Sequence, residues 1–381
     1  MPYLFLEGFD TAPVTNNEDV ARDYFEGKGY LRIAGDIYPS YTAGRVLPGR
    51  VRGGSSIKFP EYGLGYNSYI GSFVPPGANK AVIAFGWQFT GLMGAYRNLD
   101  SVAVIQFDNG SNTGVLIGLY ADRLTLAIRT NSADGAATAV GNKVVRKDIN
   151  LSGWNQIAVE VTKSTNTVRV FVNGILTVTT TFIPHTAYNL RAVGFGGGEA
   201  AWNNNTSNTN PTGSIGIQGS TLNQGGGHWL DDIYASYDED YAGDLVVRSL
   251  LDASTVSNTG AVVGAADVKA AIATNDGDTS YVELGDNTES FKEQYVGSFL
   301  PTDQIVAVSA VVAARRTDSE LIDVGAEVDV GAGNVGLTYS PLNLSHNGNF
   351  FLWSTNPTTG VPFTPEQVNA LALKVTRRNT P

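Results

Sequence analysis

The sequence predicts an all-β fold, a large β-sandwich followed by a smaller β-rich domain with one short C-terminal helix. Three observations lead to this prediction. The chain has 381 residues, more than a single core usually needs. It contains 44 glycines, as expected for many turns between short strands. Apolar residues alternate with polar ones in short segments along most of the chain, which is the periodicity of strands.

Strands in the first part of the chain are predicted from β-branched and aromatic runs, including residues 79–89 and 101–109. The clearest unit is GWNQIAVEVTKSTNTVRVFVNGILTVTT, residues 153–180, where two alternating valine-rich runs flank a turn. Asn173 and Gly174 then form the pair that a tight type I′ hairpin turn favours. We therefore expect three antiparallel strands in this unit.

Alternating strands continue after Asp244, beginning with a predicted strand DLVVRSLL, and the chain ends with a short predicted helix. Thr364 is the expected N-cap, Pro365 occupies the first helical position, and Glu366 is favourable in the first turn. The helix is predicted to run from Pro365 to about Leu371.

Composition excludes several function classes. The formal net charge is −11 and both halves of the chain are acidic, so no basic face for nucleic acid is expected. The chain has no cysteine, which excludes disulfides, thiolate nucleophiles and cysteine-type zinc sites and suits folding in a reducing cytosol. No signal peptide and no membrane insertion are predicted.

The junction from His228 to Val282 carries the most specific resemblance. A strand reading LDDIY, a GD-VV--L strand after it and a DGDTSYV phrase follow one another in the same order as in structural proteins of tailed bacteriophages. There, LDDIY closes a concanavalin A-like sandwich and DGDTSYV opens a C-terminal module. The phrase P-TG--FT---VN-L---V near the C-terminus resembles the end of that module. The first part of the chain also resembles laminin-G and legume-lectin sandwiches, an architecture that hosts many functions.

This resemblance implies a concanavalin A-like jelly-roll sandwich at residues 1–240, a linker and connecting strand at 241–275, and a C-terminal β-rich virion module at 276–381. It implies a virion protein made in the cytoplasm of the host bacterium. Its expected partners are further copies of itself in a symmetric homo-oligomer and other virion proteins. No cofactor is implied.

The acidic part of the junction is the first place to look for catalysis, because glycosidases need two carboxylates about 5 Å or about 6.5–9.5 Å apart. The E-x-D-x-x-E arrangement of the glucanases that share the lectin-like fold does not occur. On a regular strand Asp231 and Asp232 would face opposite sides, so we expect them not to converge, and we expect one of them to cap a turn or accept backbone hydrogen bonds at the sandwich edge. Asp238, Glu239 and Asp240 are expected to be solvated linker charges.

Metal binding has little support in the sequence. His185, His228 and His346 are isolated, and no zinc motif is present. Oxygen-bearing residues at 275–278 suit calcium, but their spacing fails that of an EF-hand, so a turn is expected there. Lectin-like sandwiches sometimes carry calcium elsewhere, which leaves a structural calcium open.

A long loop between Gly196 and Gly227, rich in asparagine, glycine, serine and threonine, contains the candidate binding residues. Loops of this length are usually functional or mobile. An exposed tryptophan offers an apolar face to a sugar ring, and amides offer hydrogen bonds; alternatively, the tryptophan anchors the loop. The candidate carbohydrate-binding residues are Trp202, Asn203, Asn204, Tyr62 and Tyr66.

The leading hypothesis is a non-enzymatic bacteriophage structural protein, a tail, fibre or other surface component that acts in assembly and host attachment. The first alternative is a carbohydrate-binding adhesin module for host surface glycan. The second is a glycan depolymerase or glycosidase on the lectin-like fold. A small basic cluster is expected to be a solvated edge or a salt-bridged subunit contact; its members are Arg45, Arg50, Arg52 and Lys58.

Overall fold

The computed structural model describes most of the chain in two compact units. The described residues are 3–8, 31–32, 45–48, 50, 55–59, 68–90, 100–108, 113–121, 125–130, 143–147, 153–181, 189–197, 227–273, 279–345 and 347–380. Those up to Arg248 form the first unit, and those from Ser249 onward form the second.

The first unit is a sandwich of two antiparallel sheets, as the sequence predicts. One sheet has the order β13 (Ile175–Thr181), β12 (Thr167–Val172), β11 (Asn155–Thr162), β6 (Lys80–Thr90), β15 (Gly227–Tyr237), β4 (Ser55–Phe59) and β3 (Arg45–Pro48), and β1 (Tyr3–Glu7) also pairs with β15. The other has the order β10 (Lys143–Lys147), β9 (Thr125–Thr130), β8 (Thr113–Ala121), β7 (Asp100–Asp108), β14 (Asn189–Gly197), β5 (Ser68–Phe73) and β2 (Leu31–Arg32).

Large aromatic side chains join the two sheets. Phe195 of β14 makes edge-to-face contacts with Phe5 of β1 and Phe85 of β6, at centroid distances of 5.6 Å and 5.5 Å. Both partners lie in the opposite sheet, and all three rings are almost completely buried. The alternating apolar residues of the sequence therefore fill a core between the layers.

The predicted three-stranded unit is confirmed. β11 pairs with β12 without a break in register, and β12 pairs with β13. Asn173 and Gly174, between β12 and β13, have φ of 49° and 76°, the left-handed values that a type I′ turn requires. Local sequence alone specifies this turn.

Replacing Gly174 with alanine is expected to lower the free energy of unfolding by about 1–2 kcal/mol, since a left-handed residue with a Cβ is strained. No atom lies within 4 Å of the added Cβ, so the cost comes from the backbone. Urea denaturation measures it. Gly174→Asn is the matched control, because asparagine tolerates positive φ and should cost less. Equal losses in both variants would contradict this reading of the turn.

The second unit is built on a five-stranded antiparallel sheet. Its strands are, in order, β16 (Leu251–Asn258), β19 (Ser290–Val296), β24 (Ala372–Asn379), β21 (Ile322–Asp329) and β22 (Asn334–Pro341). Two further pairs are β17 (Ala261–Val263) with β18 (Tyr281–Glu283), and β20 (Val308–Ala314) with β23 (Asn347–Trp353). The described part of this unit also contains the helices α1 (Val268–Ile272) and α2 (Pro365–Asn369).

A separate hydrophobic core stabilises the second unit. Val324, Ala326 and Val375 from the five-stranded sheet belong to the same buried cluster as Phe351 and Trp353 of β23. The region around α2 adds Phe363, Val368 and Leu371 to this cluster. Helix α2, the β20–β23 pair and the five-stranded sheet thus share one hydrophobic core.

The predicted N-terminus of α2 is confirmed. The Thr364 hydroxyl accepts a hydrogen bond from the Gln367 amide, and the Gln367 side chain accepts one from the Thr364 amide, which together form a capping box. The helix ends at Asn369, two residues before the predicted end, because the chain must turn into β24 at Ala372. In the part of the chain that the structure describes, neither helix is long and apolar enough to cross a membrane.

Candidate functional site

The predicted carbohydrate-binding residues all lie outside the described residues. These are Trp202, Asn203, Asn204, Tyr62 and Tyr66. The 275–278 segment, His185 and His346 lie outside them too, and His228 is placed only as a backbone position in β15. Sugar binding by these residues therefore stays a prediction, and the site chemistry that can be described lies elsewhere.

In the first unit the structure brings Arg50 together with Asp231, Asp232 and Asp244, which we call the Arg50 cluster. The Arg50 amide donates to Asp231 Oδ2 at 2.5 Å, and Arg50 Nε donates to Asp232 Oδ2 at 2.8 Å. Arg50 Nη1 donates to both Asp244 carboxylate oxygens, at 2.8 Å and 3.0 Å. One arginine thus binds three carboxylates that come from β15 and from the segment after it.

The expectation that Asp231 and Asp232 point to opposite sides is wrong. Asp232 has φ of 47°, and the pairing of β15 with β6 shifts register between Asp231 and Tyr234. A β-bulge of this kind breaks the alternation of a strand and redirects its side chains. Both carboxylates are buried, at 2% and 3% exposure, and both contact Arg50.

The structural role predicted for one of these aspartates is confirmed, and both of them have it. Asp231 Oδ1 accepts from the Asp232 amide at 2.8 Å, and Asp232 Oδ1 accepts from the Val247 amide at 2.8 Å. Each carboxylate therefore binds main-chain donors as well as Arg50. Arg50 of the predicted basic cluster forms salt bridges with Asp232 and Asp244 of the same chain, and the alternative of a contact with another subunit stays a prediction.

Two glycines allow the close approaches at this site. A Cβ on Gly86 would lie 3.0 Å from Arg50 Cδ and 3.2 Å from the Asp231 carbonyl oxygen. A Cβ on Gly8 would lie 2.0 Å from the Val247 carbonyl oxygen. A larger residue at Gly8 would clash with the backbone at Val247, and one at Gly86 would require Arg50 to shift.

Residues 241–247, which we call the junction segment, lie along the first sheet of the sandwich. The Tyr241 amide donates to Glu160 Oε2 at 3.0 Å, its hydroxyl donates to Gln156 Oε1 at 2.5 Å, and its ring packs 4.5 Å from that of Phe171. The Tyr234 hydroxyl donates to the Gly243 carbonyl at 3.1 Å. Side chains of β11, β12 and β15 thus bind the junction segment, whose residues belong to the first unit.

The predicted strand DLVVRSLL is not formed over residues 244–250; β16 begins at Leu251. The reason is the partners of its backbone. The Leu245 carbonyl accepts from Arg50 Nη2 at 3.0 Å, and the Val247 amide donates to Asp232. Polar backbone groups that bind side chains are not available for a ladder with another strand.

Asp238 and Asp240, which precede the junction segment, are exposed, as expected of solvated charges, and both also bind the start of β6. Asp238 Oδ1 accepts from the amides of Asn79 and Lys80, at 2.7 Å and 3.1 Å, and Asp240 pairs with the Lys80 ammonium. Asp238 itself has φ of 53°. These carboxylates hold the end of β15 against the start of β6.

The carboxylates of the Arg50 cluster shift the pKa values of the arginine and of the neighbouring Tyr241. Burial lowers the pKa of Arg50, but the carboxylates of Asp232 and Asp244 outweigh burial and raise it above its ordinary value. Burial and the charge of Asp244 raise the pKa of Tyr241 to about 12, so its hydroxyl stays a hydrogen-bond donor at neutral pH. A general acid would need a carboxyl with a raised pKa, whereas these carboxylates bind a cation and amides.

Glu160 of β11 is another buried carboxylate that binds both a cation and a backbone amide. At 2% exposure it accepts from Arg169 Nη1 of β12 at 2.8 Å and from the Tyr241 amide. The sequence contains a signal for the ion pair, because the hairpin register places Glu160 opposite Arg169. The link from Glu160 to Tyr241 has no such signal, since the two residues are 81 positions apart.

Metal binding finds no support among the described residues. Within them, no group of three or more acidic or histidine side chains is arranged to hold a metal ion. The oxygen-rich Arg50 cluster already contains a guanidinium, which occupies the position that a cation would need.

Comparisons with known proteins give remote similarities in structure. No protein-family model matches the chain, and no curated protein matches it. Among solved structures, a sialidase is 11% identical over 62% of this chain and 19% of its own, with a TM-score of 0.38. A carbohydrate esterase from the Shiga toxin-encoding bacteriophage phi24B is 13% identical over 62% of this chain and 99% of its own, with a TM-score of 0.38.

A third solved structure is domain 4 of AbnA, a GH43 extracellular arabinanase from Geobacillus stearothermophilus, in complex with arabinotriose. It is 9% identical over 62% of this chain and 92% of its own, with a TM-score of 0.37. Because the TM-scores of all three are below 0.5, the sandwich architecture given above rests on the strand pairing of this chain itself.

Proposed function

We propose that this protein is a non-enzymatic structural component of a bacteriophage particle, of the tail, fibre or surface-appendage kind. One observation carries the proposal: the carboxylates of the junction bind Arg50 and backbone amides, and so hold the junction segment to the β-sandwich of the first unit. The ordered junction phrase is the part of the sequence that resembles phage structural proteins. Its most acidic residues hold the chain in place.

The junction segment supports this proposal energetically. Hydrogen bonds that involve ions, such as those of Arg50 and Asp232, contribute more than neutral ones. Val247 is still bound to the sandwich, and only Arg248, Ser249 and Leu250 separate it from β16. The chain therefore leaves the sandwich from an anchored point, which suits a protein whose modules must withstand assembly and attachment in a particle.

Electron microscopy of labelled particles tests the proposal. Particles are purified from cells in which the gene occurs and incubated with a gold-labelled antibody against this protein. Regular label on an appendage or on the particle surface is the expected result. Particles without label, from cells in which the protein is made, would contradict the proposal.

Enzymatic and adhesive roles are separated with the purified protein. We expect no release of reducing sugars or unsaturated products from a panel of bacterial polysaccharides, and reproducible release would contradict the non-enzymatic role. A glycan array probed with the assembled protein tests the adhesin alternative. Binding that Trp202→Ala abolishes would support that alternative.

A further inference from the structure

Glu293 is a buried carboxyl group on the core-facing side of the second unit. It lies in β19 opposite Leu373 of β24. Phe291, two positions earlier on the same side of β19, lies opposite Val375. The exposure of Glu293 is 0%, and neither carboxylate oxygen has a hydrogen-bond partner among the described residues. Burying a charged carboxylate without a hydrogen-bond partner costs free energy, so burial favours the protonated form of this group.

The groups that surround Glu293 are mostly acidic or apolar. From β16, Asp252 and Thr255 face it, and Asp252 Oδ1 is also buried without a partner among the described residues. From α1, the N-cap residue Asp267 adds a third carboxylate, which accepts from the Ala270 amide. From β24 the neighbour is the apolar Leu373, and Tyr295 lies two positions along β19 itself.

Lys269 of α1, which contacts β16, does not pair with either carboxylate. It donates to the carbonyl oxygens of Asp252 and Ala253, at 3.0 Å and 3.1 Å, and so binds the backbone of β16. Lys292 and Lys374 face each other across β19 and β24 on the opposite side of the sheet, where they pair with Asp329 and Glu327. Two carboxyls therefore meet without an ion pair.

We propose that Glu293 and Asp252 share one proton, and that loss of this proton as the pH rises loosens β16 and α1 from the rest of the second unit. The shared proton removes one of two charges and supplies a donor between carboxyl groups. When both groups ionise, the buried charge of Glu293 and the half-buried charge of Asp252 repel each other across the β16–β19 pair.

The strand on which this repulsion acts is weakly held. β16 is an edge strand with β19 as its neighbour, and most of its residues are exposed. Its pairing with β19 shifts register between Asp252 and Ser254 and again between Thr255 and Ser257, on both sides of the contact with Glu293. Edge strands with irregular pairing open at lower free energy than central ones.

The direction of the pH effect follows from linkage. Burial raises the pKa of Glu293 above its ordinary value of 4.5, and the charges of Asp252 and Asp267 add to the rise, while the Thr255 hydroxyl opposes it. A carboxyl whose pKa is raised by folding contributes its full stability below pH 4.5 and loses it as the pH passes through the raised value. The contribution of Glu293 to the stability of the second unit is therefore greatest in acid and is lost as the pH rises.

Hydrogen–deuterium exchange of the full chain at pH 5 and pH 8 tests this inference, with rates divided by the intrinsic rates at each pH. Peptides covering residues 251–258 should lose about tenfold protection at pH 8, which corresponds to about 1.4 kcal/mol in the free energy of opening. Peptides covering β21 should show no comparable loss. In Glu293→Gln, an isosteric change, protection of residues 251–258 should be equal at the two pH values.

A second variant and a matched control complete the experiment. Asp252→Asn removes the repulsion from the other partner and should also abolish the loss at pH 8. Glu283→Gln changes an exposed glutamate of the same unit and should leave the loss intact. Wild-type pH dependence in both Glu293→Gln and Asp252→Asn would overturn the inference. Recovery of wild-type protection at pH 8 on addition of calcium would also overturn it, because the pair would then bind a cation.

Discussion

Replacing Arg50 with methionine is expected to lower the free energy of unfolding of the first unit by about 3–5 kcal/mol, the usual loss when one partner of a buried ion pair is removed. Asp232 is 2% exposed on its side chain and would keep a charge without its main partner. Methionine preserves the length and apolar volume of the side chain, so the loss reports the charge and its hydrogen bonds.

Urea denaturation followed by tryptophan fluorescence measures this effect, since Trp87, Trp154, Trp202 and Trp229 precede residue 249 and only Trp353 follows it. Exchange of residues 241–247 should rise in the same variant, because Arg50 holds Asp244 and the Leu245 carbonyl.

The control for Arg50 is Lys163→Met, which removes a cation whose ammonium donates to Asn189 at an exposed position. It should change stability by no more than about 0.5 kcal/mol. The double variant Arg50→Met with Asp232→Asn should be less unstable than the sum of the single changes, since the unpaired charge is gone. A loss in Arg50→Met as small as that in the control would show that the Arg50 cluster does not anchor the junction segment.

Replacing Gly336 with alanine is expected to destabilise the second unit by about 2–5 kcal/mol. Gly336 has φ of 70°, at which a Cβ costs about 1–2 kcal/mol. That Cβ would also lie 2.5 Å from Pro357 Cγ and 2.8 Å from Trp353 Nε1, and overpacking adds about 1–3 kcal/mol. The Trp353 indole donates to the Gly336 carbonyl at 2.8 Å, so the core at Trp353 should be disturbed as well.

Gly331→Ala separates the two costs. Gly331 has φ of 93°, but no atom lies within 4 Å of an added Cβ, so this variant carries the backbone strain without the clash. Thermal unfolding of both variants should show the larger decrease in Tm for Gly336→Ala. Equal decreases would mean that contact with Trp353 contributes nothing measurable at this position.

Features specified by neighbouring residues were predictable. The Asn173-Gly174 turn and the Thr364 cap depend on backbone angles and hydrogen bonds within a few residues, and both occur where the sequence places them. The alternation of β11 and β12 likewise predicts their pairing. The same local patterns do not identify β19, where Glu293 interrupts the apolar side of the strand.

The behaviour of Asp231 and Asp232 was not predictable from local pattern. A regular strand separates adjacent side chains, whereas Asp232 departs from the regular strand and contacts Arg50, which is 182 positions away. The partners of Glu293 show the same limit, since Asp252 and Asp267 come from separate elements. Neither contact can be recognised from a sequence motif, because spacing along a chain does not specify which distant strands become neighbours.

The sequence by itself determined the fold class, the three-stranded unit and the capped helix, because these depend on periodicity and on short-range backbone geometry. Tertiary structure decided what the buried charges do. Whether a carboxylate is ionised, paired or protonated depends on burial and on the charges that folding brings beside it. For this reason Asp232 became an anchor for the junction segment, while Glu293 was left facing another acid.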